Sequence, residues 1–167
     1  TVIDYKAGNL TSVLKALRHL GAEPEVTDSD AALIVRAERI VLPGVGHFAA
    51  TKRLDDTGLT PAIRTAIERG IPFLGICVGM QWLFAGSTEA PDQPGLAAFT
   101  ERCTRFPGGS EKGPHVGWNS LDVQPASRLL QGVTNGEFVY FTHSYKAPVT
   151  SDTAAVTTYI EPFAAVI

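Results

Sequence analysis

Apolar residues follow two different rhythms along this chain. In the first half, short continuous apolar runs alternate with stretches of helical period. "TVIDY" (1–5) reads as a strand. "NLTSVLKALRHLG" (9–21) puts Val13, Leu14, Leu17 and Leu20 on one helical face, with Gly21 as the stop. "EPEVT" (23–27) is a short strand, and "SDAALIVRA" (29–37) is a short helix capped by Ser29 or Asp30. "RIVLP" (39–43) is a buried strand that stops at Pro43. "TPAIRTAIERG" (60–70) predicts a helix with Thr60 as its cap, Pro61 at the first helical position and Gly70 at its end. "IPFLGI" (71–76) is again a buried strand, and "VGMQWLFA" (78–85) a helix.

The second half changes character. "GLAAFTERCTRFP" (95–107), "GWNSLDVQP" (117–125), "EFVYFTHSYKAP" (137–148) and "AAVTTYIEPFAAVI" (154–167) are rich in β-branched and aromatic residues, separated by turn formers. They predict hairpins or a mixed extension of the sheet. Continuous apolar strands alternating with helices require a parallel sheet covered on both faces, so the fold class is α/β. No repeat, low-complexity tract or linker divides the chain, and a single domain over 1–167 is expected. The chain opens without methionine, directly in a strand, and stops at "EPFAAVI" without a turn or cap signal, so further residues are expected at both ends.

Composition narrows the function classes. The chain has 167 residues, 44% hydrophobic and 19% charged, as in a globular protein with a real core. A net charge of −3 without basic clusters gives no footprint for nucleic acid or an anionic membrane. No apolar run nears the roughly 20 residues of a membrane span, and no signal-peptide pattern opens the chain. The two cysteines, Cys77 and Cys103, show no metal-ligand spacing with histidine. They could pair, but nothing suggests a stapled secreted scaffold, and a reduced cytoplasmic protein without metal or cofactor is expected.

Candidate chemistry gathers at strand ends. In "PFLGICVGMQ" (72–81), Cys77 follows an apolar strand, precedes a helix, and has Gly75 and Gly79 two positions to either side. Strand, sharp turn and helix form a nucleophile elbow, in which small flanking residues relieve crowding. A helix N-terminus would favour the thiolate, and the N–H of Val78 could donate to an oxyanion. A small core cysteine is the plainer reading of the same pattern. In "LPGVGHF" (42–48), Gly44, Val45 and Gly46 turn the chain after another buried strand. Ligands of open parallel sheets bind at this edge, so that turn could complete an oxyanion hole; an ordinary glycine loop is the alternative.

Taken together, "DYKAGNLTSV" (4–13), "LPGVGHF" (42–48), "GICVGMQWLF" (75–84), "PHVGWN" (114–119) and "YFTHSY" (140–145) resemble the class I glutamine amidotransferases. Within them, "PGVGHF" and "PHVGWN" are similar to the glutaminase subunits of imidazole glycerol phosphate synthase. The resemblance spans almost the whole chain. It implies a flavodoxin-like open sheet, mostly parallel, with helices on both faces and a β-rich second half. It also implies that glutamine is hydrolysed to glutamate and ammonia through a Cys77 thioester. Ammonia would then pass to a cyclase partner of (β/α)8-barrel fold in histidine biosynthesis.

By the same resemblance, Val78 and the Gly44, Val45 and Gly46 turn match oxyanion donors. Gln81, Glu89, Ser144 and Tyr145 match substrate contacts, with Glu89 at the amino group of glutamine and Ser144 and Tyr145 at its amino-acid end. Asn9, His115, Trp118 and Asn119 match segments facing the partner or the tunnel mouth. Without the resemblance, Gln81 and Glu89 read as solvated positions, Trp118 and Tyr145 as packing aromatics, His19 as a surface or dipole-compensating residue, and His47 as a loop-shaping one. The resemblance also implies a catalytic histidine and glutamate from a His-Pro-Glu motif. None of His19, His47, His115 and His143 is followed by Pro-Glu, so the 167 residues alone are not expected to be a competent glutaminase. Two alternatives stand: a glutaminase subunit serving another synthase, and a non-catalytic amidotransferase-like binding module.

Overall fold

A computed structural model describes residues 1–108, 113–124 and 127–167. The chain divides into two compact units, Thr1–Thr100 and Glu101–Ile167.

The first unit is α/β. Its parallel sheet has the order β2-β1-β3-β4, formed by β1 (Val2–Ile3), β2 (Val26–Thr27), β3 (Ile40–Gly44) and β4 (Phe73–Cys77). Between these strands run α1 (Leu10–His19), α2 (Ala31–Val35), a 3-10 turn (Phe48–Thr51), α3 (Lys52–Asp56) and α4 (Leu59–Glu68). Helix α5 (Val78–Gln81) follows β4 directly and lies against β3 and β4. Ile3, Ile34, Ile40, Leu42, Phe48, Leu54, Leu59, Ile63 and Trp82 form the core. A short antiparallel pair, β5 (Gly86–Ser87) and β6 (Ala90–Pro94), follows.

Both predicted glycine stops hold. Gly21 and Gly70 adopt φ of 81° and 80°. Each ends its helix in a pair of hydrogen bonds: Gly70 N–H donates to the Ile67 carbonyl and Ile71 N–H to the Ala66 carbonyl, and Gly21 and Ala22 repeat the pattern on Arg18 and Leu17. Asp30, not Ser29, caps α2, its side chain accepting from Ala32 N–H.

Other boundaries move. Helix α4 starts two residues before Pro61, capped by Gly58 in the left-handed region at φ 73°, while the Thr60 hydroxyl donates to Asp55 at 2.6 Å. The α3 turn thus supplies an acceptor that outcompetes capping by Thr60. Leu20 falls at the C-cap of α1 and is 80% exposed, whereas Val13, Leu14 and Leu17 are half-buried. The helix expected over 78–85 ends at Gln81. Residues 95–98 fold back, and the N–H groups of Leu96, Ala97 and Ala98 reach the carbonyls of Trp82, Phe84 and Leu83. Those carbonyls are no longer available to a continuing helix. Gly95 permits this return, since a Cβ there would sit 2.1 Å from the Phe84 carbonyl oxygen.

The second unit is all β among its described residues. Strand β7 (Arg102–Arg105) and, further along, β8 (His115–Ser120), β9 (Asp122–Val123), β10 (Phe138–His143), β11 (Tyr145–Lys146), β12 (Ala155–Tyr159) and β13 (Glu161–Val166) make antiparallel pairs β8–β10, β7–β11, β12–β13 and β9–β12. Of the four strand-rich stretches, 95–107 holds the single strand β7, and the other three are each divided in two. Ser144 breaks 137–148 into two strands, and Ile160, at φ 62°, turns 154–167 into a hairpin. Pro125 of the stretch 117–125 lies outside the described residues.

The tightest packing in the first unit is backbone on backbone. A Cβ on Gly79 would lie 1.9 Å from the Leu42 carbonyl oxygen, and one on Gly75 2.5 Å from the Gly79 carbonyl oxygen. Neither neighbour is a side chain that can swing away. Gly79→Ala is expected to destabilise the protein by about 3 kcal/mol through overpacking, read as a fall in the thermal or denaturant midpoint, whereas Gly108→Ala, with open space around its Cβ, leaves the midpoint unchanged.

Candidate active site

The site is built where β3 and β4 end. Their parallel register pairs Pro43 with Ile76 and Gly44 with Cys77. At Cys77 the backbone turns to φ 55° and ψ −112°, and α5 begins at the next residue. Such a conformation is costly for a residue with a Cβ and persists only where surrounding structure enforces it. Here Gly75, Gly79 and Gly44 enforce it by allowing strand, turn and helix to touch. A Cβ on Gly44 would meet Gly79 N at 2.8 Å and Val78 Cβ at 2.9 Å. The result is an exposed free cysteine held on a sharp turn.

The thiol is not pre-ionised. Removal of water from its surroundings raises the Cys77 pKa above the ordinary thiol value, and the Glu89 carboxylate raises it further. The Val78 N–H pulls in the opposite direction and loses. The expected gain from a helix N-terminus is small because α5 is only four residues long. Cys103, in the second unit, is fully buried and pushed up to about 12, also by desolvation.

Around Cys77 the loops are pinned. Val45 is half-exposed and its N–H donates to the Ala7 carbonyl at 2.8 Å. That amide is therefore committed, and donation to an oxyanion would require this bond to open. Gly46 turns the chain at φ 86°. His47 caps the 3-10 turn, its Nδ1 accepting from Ala49 N–H at 3.1 Å. Glu89 reaches back to this turn, its Oε2 accepting from Phe48 N–H at 2.8 Å. The structure so brings Cys77, Glu89 and the 44–48 loop into one electrostatic neighbourhood, although Glu89 is twelve positions from Cys77 in sequence. Gln81 is buried in α5. Asn9 caps α1, its Oδ1 accepting from Ser12 N–H.

Ser144, Tyr145, His115, Trp118 and Asn119 belong to the second unit. Ser144 sits at the break between β10 and β11, and its carbonyl accepts from Phe106 N–H at 3.1 Å. His115 is 3% exposed, whereas Trp118 is 69% exposed. Asn119 donates through Nδ2 to the Thr158 carbonyl at 2.9 Å. Val116, Trp118, Phe138 and Tyr140 are all exposed, and register places Trp118 opposite Tyr140, with rings 5.7 Å apart edge to face. Sequence reading did not single out Val116, Phe138 and Tyr140. Their alternation in β8 and β10 was the available signal.

Comparison with known proteins shows the family and the fold. The family model for class I glutamine amidotransferases matches residues 1–163. The chain is 48% identical over 145 residues to the imidazole glycerol phosphate synthase subunit HisH of Caldanaerobacter subterraneus, covering 86% of this chain and 70% of that protein. The HisH subunit of Methanopyrus kandleri is 41% identical over 168 residues, covering 99% and 81%. That of Aquifex aeolicus is 44% identical, covering 94% and 75%. Among solved structures, one described as a glutamine amidotransferase superposes with a TM-score of 0.71 at 16% identity, covering 94% of this chain and 84% of that one. The glutaminase domain of Trypanosoma brucei CTPS with bound acivicin gives 0.65 at 14% identity, covering 98% and 77%. These two show the shared fold. No helix among the described residues is long and apolar enough to cross a membrane.

The raised thiol pKa fixes the expected reactivity. Alkylation of Cys77 by iodoacetamide, followed by mass spectrometry, rises about tenfold per pH unit through neutrality and levels off only above the ordinary thiol pKa, because only the thiolate reacts. Glu89→Gln removes a neighbouring negative charge and shifts the curve to lower pH, so that alkylation at pH 7 speeds up roughly twofold or more. Cys103 stays unmodified throughout.

Proposed function

The chain belongs to the class I glutamine amidotransferases, and we propose that it acts as the glutaminase subunit of imidazole glycerol phosphate synthase. The observation that carries the chemistry is Cys77 on its strained turn, with Gly75 and Gly79 packed backbone to backbone around it. Similarity of up to 48% identity to the HisH subunits of this synthase supports the assignment.

In this reading the Cys77 thiolate attacks the side-chain carbonyl carbon of glutamine. The tetrahedral oxyanion collapses to a glutamyl thioester and expels ammonia. Water then attacks the thioester, releasing glutamate and restoring the thiol. The N–H of Val78 and the turn of Gly44, Val45 and Gly46 stabilise the two oxyanions. Glu89 takes the amino group of glutamine, Gln81 contacts the substrate, and Ser144 and Tyr145 hold its amino-acid end. His143 is not assigned the base role: it hydrogen-bonds to His115 and to a backbone carbonyl, and the His-Pro-Glu motif is not among the 167 residues.

Ammonia is a nucleophile only while unprotonated, which favours direct delivery to a cyclase subunit over release into water. We assign that cyclase a (β/α)8-barrel fold, and the protein to the cytoplasm. Asn9, His115, Trp118 and Asn119 lie in the segments assigned to that partner or the tunnel mouth. The exposed apolar face of Val116, Trp118, Phe138 and Tyr140 supports a docking role for β8 and β10. Both compact units are read as parts of one amidotransferase domain, supported by the single family match running through both.

Two experiments test this reading. In the full-length protein with its cyclase, Cys77→Ala is expected to lower glutamine hydrolysis by at least about a thousandfold, and a glutamine-mimicking electrophile should label Cys77. Persistent hydrolysis in that variant rules the mechanism out. Trp118→Ala is expected to weaken cyclase binding about tenfold or more, as for a central aromatic anchor; calorimetric titration showing unchanged affinity rejects the docking face.

A further inference from the structure

The second unit holds a relay of two imidazoles that the glutaminase mechanism leaves without a role. His115 and His143 are directly opposite in the β8–β10 register. His115 Nδ1 lies 3.0 Å from His143 Nε2, and His143 Nδ1 lies 2.9 Å from the Tyr145 carbonyl oxygen. The carbonyl only accepts, so His143 Nδ1 carries a proton and donates it. In a neutral ring Nε2 is then the acceptor, and His115 Nδ1–H must be its donor. Burial keeps the pKa of both imidazoles below the ordinary histidine value, and for His115 the neighbouring His143 adds to this. The neutral state that this direction of donation requires is therefore the favoured one. The chain of donors runs from His115 through His143 to the backbone at Tyr145.

That backbone needs holding. Ser144 interrupts the strand between β10 and β11, so no ladder pairing fixes its direction. Two bonds clamp the corner: Phe106 N–H on the Ser144 carbonyl, and His143 on the Tyr145 carbonyl. Phe106 also contacts the ring of His143 edge to face at 5.2 Å, tying the two clamps together. His115 meanwhile stacks on Tyr159 at 4.2 Å and on Phe141 at 4.8 Å. Its ring is gripped by aromatic packing, and the hydrogen bond of its Nδ1 points down the relay.

We propose that His115 is a positioning residue for glutamine: through His143 it fixes the Tyr145 carbonyl, and with it the corner that presents Ser144 and Tyr145 to the substrate. This rests on the reading above, in which those two residues hold the amino-acid end of glutamine. A packing role and a positioning role make opposite demands on the side chain. Packing needs a flat ring, which phenylalanine supplies without a donor. Positioning needs a donor near Nδ1, which asparagine supplies without the ring.

The test measures glutaminase kinetics and melting of the full-length protein with its cyclase. His115→Phe is expected to keep a cooperative melt near the wild-type temperature and to raise KM for glutamine at least about tenfold, with kcat changed far less. His115→Asn is expected to melt lower, having lost its stacking, yet to keep KM within about threefold of wild type. The reverse order, with His115→Phe near the wild-type KM and His115→Asn impaired, overturns the proposal. So does a His115→Phe protein that no longer melts cooperatively, since the bond would then be structural. Ser144→Ala separates the two claims. If it raises KM while His115→Phe does not, only the relay fails; if it leaves KM unchanged, the assignment of that corner to glutamine fails, and the relay with it.

Discussion

The first unit depends on one close approach, that of Gly79 to the carbonyl of Leu42. A backbone contact this tight admits no side chain, so helix α5 can sit directly on β3 rather than on a layer of residues above it. That position forces the chain to reverse within one residue, the last of β4. Cys77 takes the reversal, at φ 55°, and its side chain is thereby carried to the sheet edge beside Gly44. The strain at Cys77 and the absence of side chains at positions 44, 75 and 79 are one constraint seen from two sides. Relaxing either would let α5 lift away and the thiol swing out of register with the 44–48 loop.

Electrostatics at the elbow work against the resting nucleophile. A longer helix would lend the thiolate a stronger positive end, but the return of residues 95–98 ends α5 after one turn. The desolvation that accompanies a packed elbow and the carboxylate of Glu89 both favour the neutral thiol and outweigh the Val78 N–H. Glu89 is itself fixed by the Phe48 N–H, and Val45 N–H is turned toward Ala7. The same loop thus holds an acidic group near sulfur and withholds one amide from it.

How far these features were legible in sequence depends on how local their causes are. Gly21 and Gly70 end helices by their own backbone freedom, and both were readable, as was the Gly75, Cys77 and Gly79 spacing of the elbow. The start of α4 was misplaced because Asp55, five residues before Thr60, accepts its hydroxyl. The truncation of α5 was invisible for a similar reason: its cause lies in residues 95–98. The site divides in the same way. Cys77 and the glycine turn announce themselves in short motifs, whereas the coupling of Glu89 to Phe48 and of His115 to His143 spans 41 and 28 positions. Only strand register brings the two histidines together, and register is not written in either segment alone.

The β8–β10 pair shows why its residues resist a plain reading. Alternation in a strand ordinarily separates a wet face from a dry one, yet here both faces carry aromatic residues. One face buries His115 against Phe141 and, from elsewhere in the unit, Phe106, Tyr159 and Phe163. The other leaves Val116, Trp118, Phe138 and Tyr140 exposed. Folding of this unit accounts for the first set; of the second, Trp118 and Tyr140 gain a cross-strand ring pair, yet all four side chains stay exposed. A cyclase docked on the second set, as proposed above, would rest on the same two strands whose other face holds the imidazole relay. Sequence periodicity alone could not separate the two sets, because it measures apolarity and not which side the core occupies.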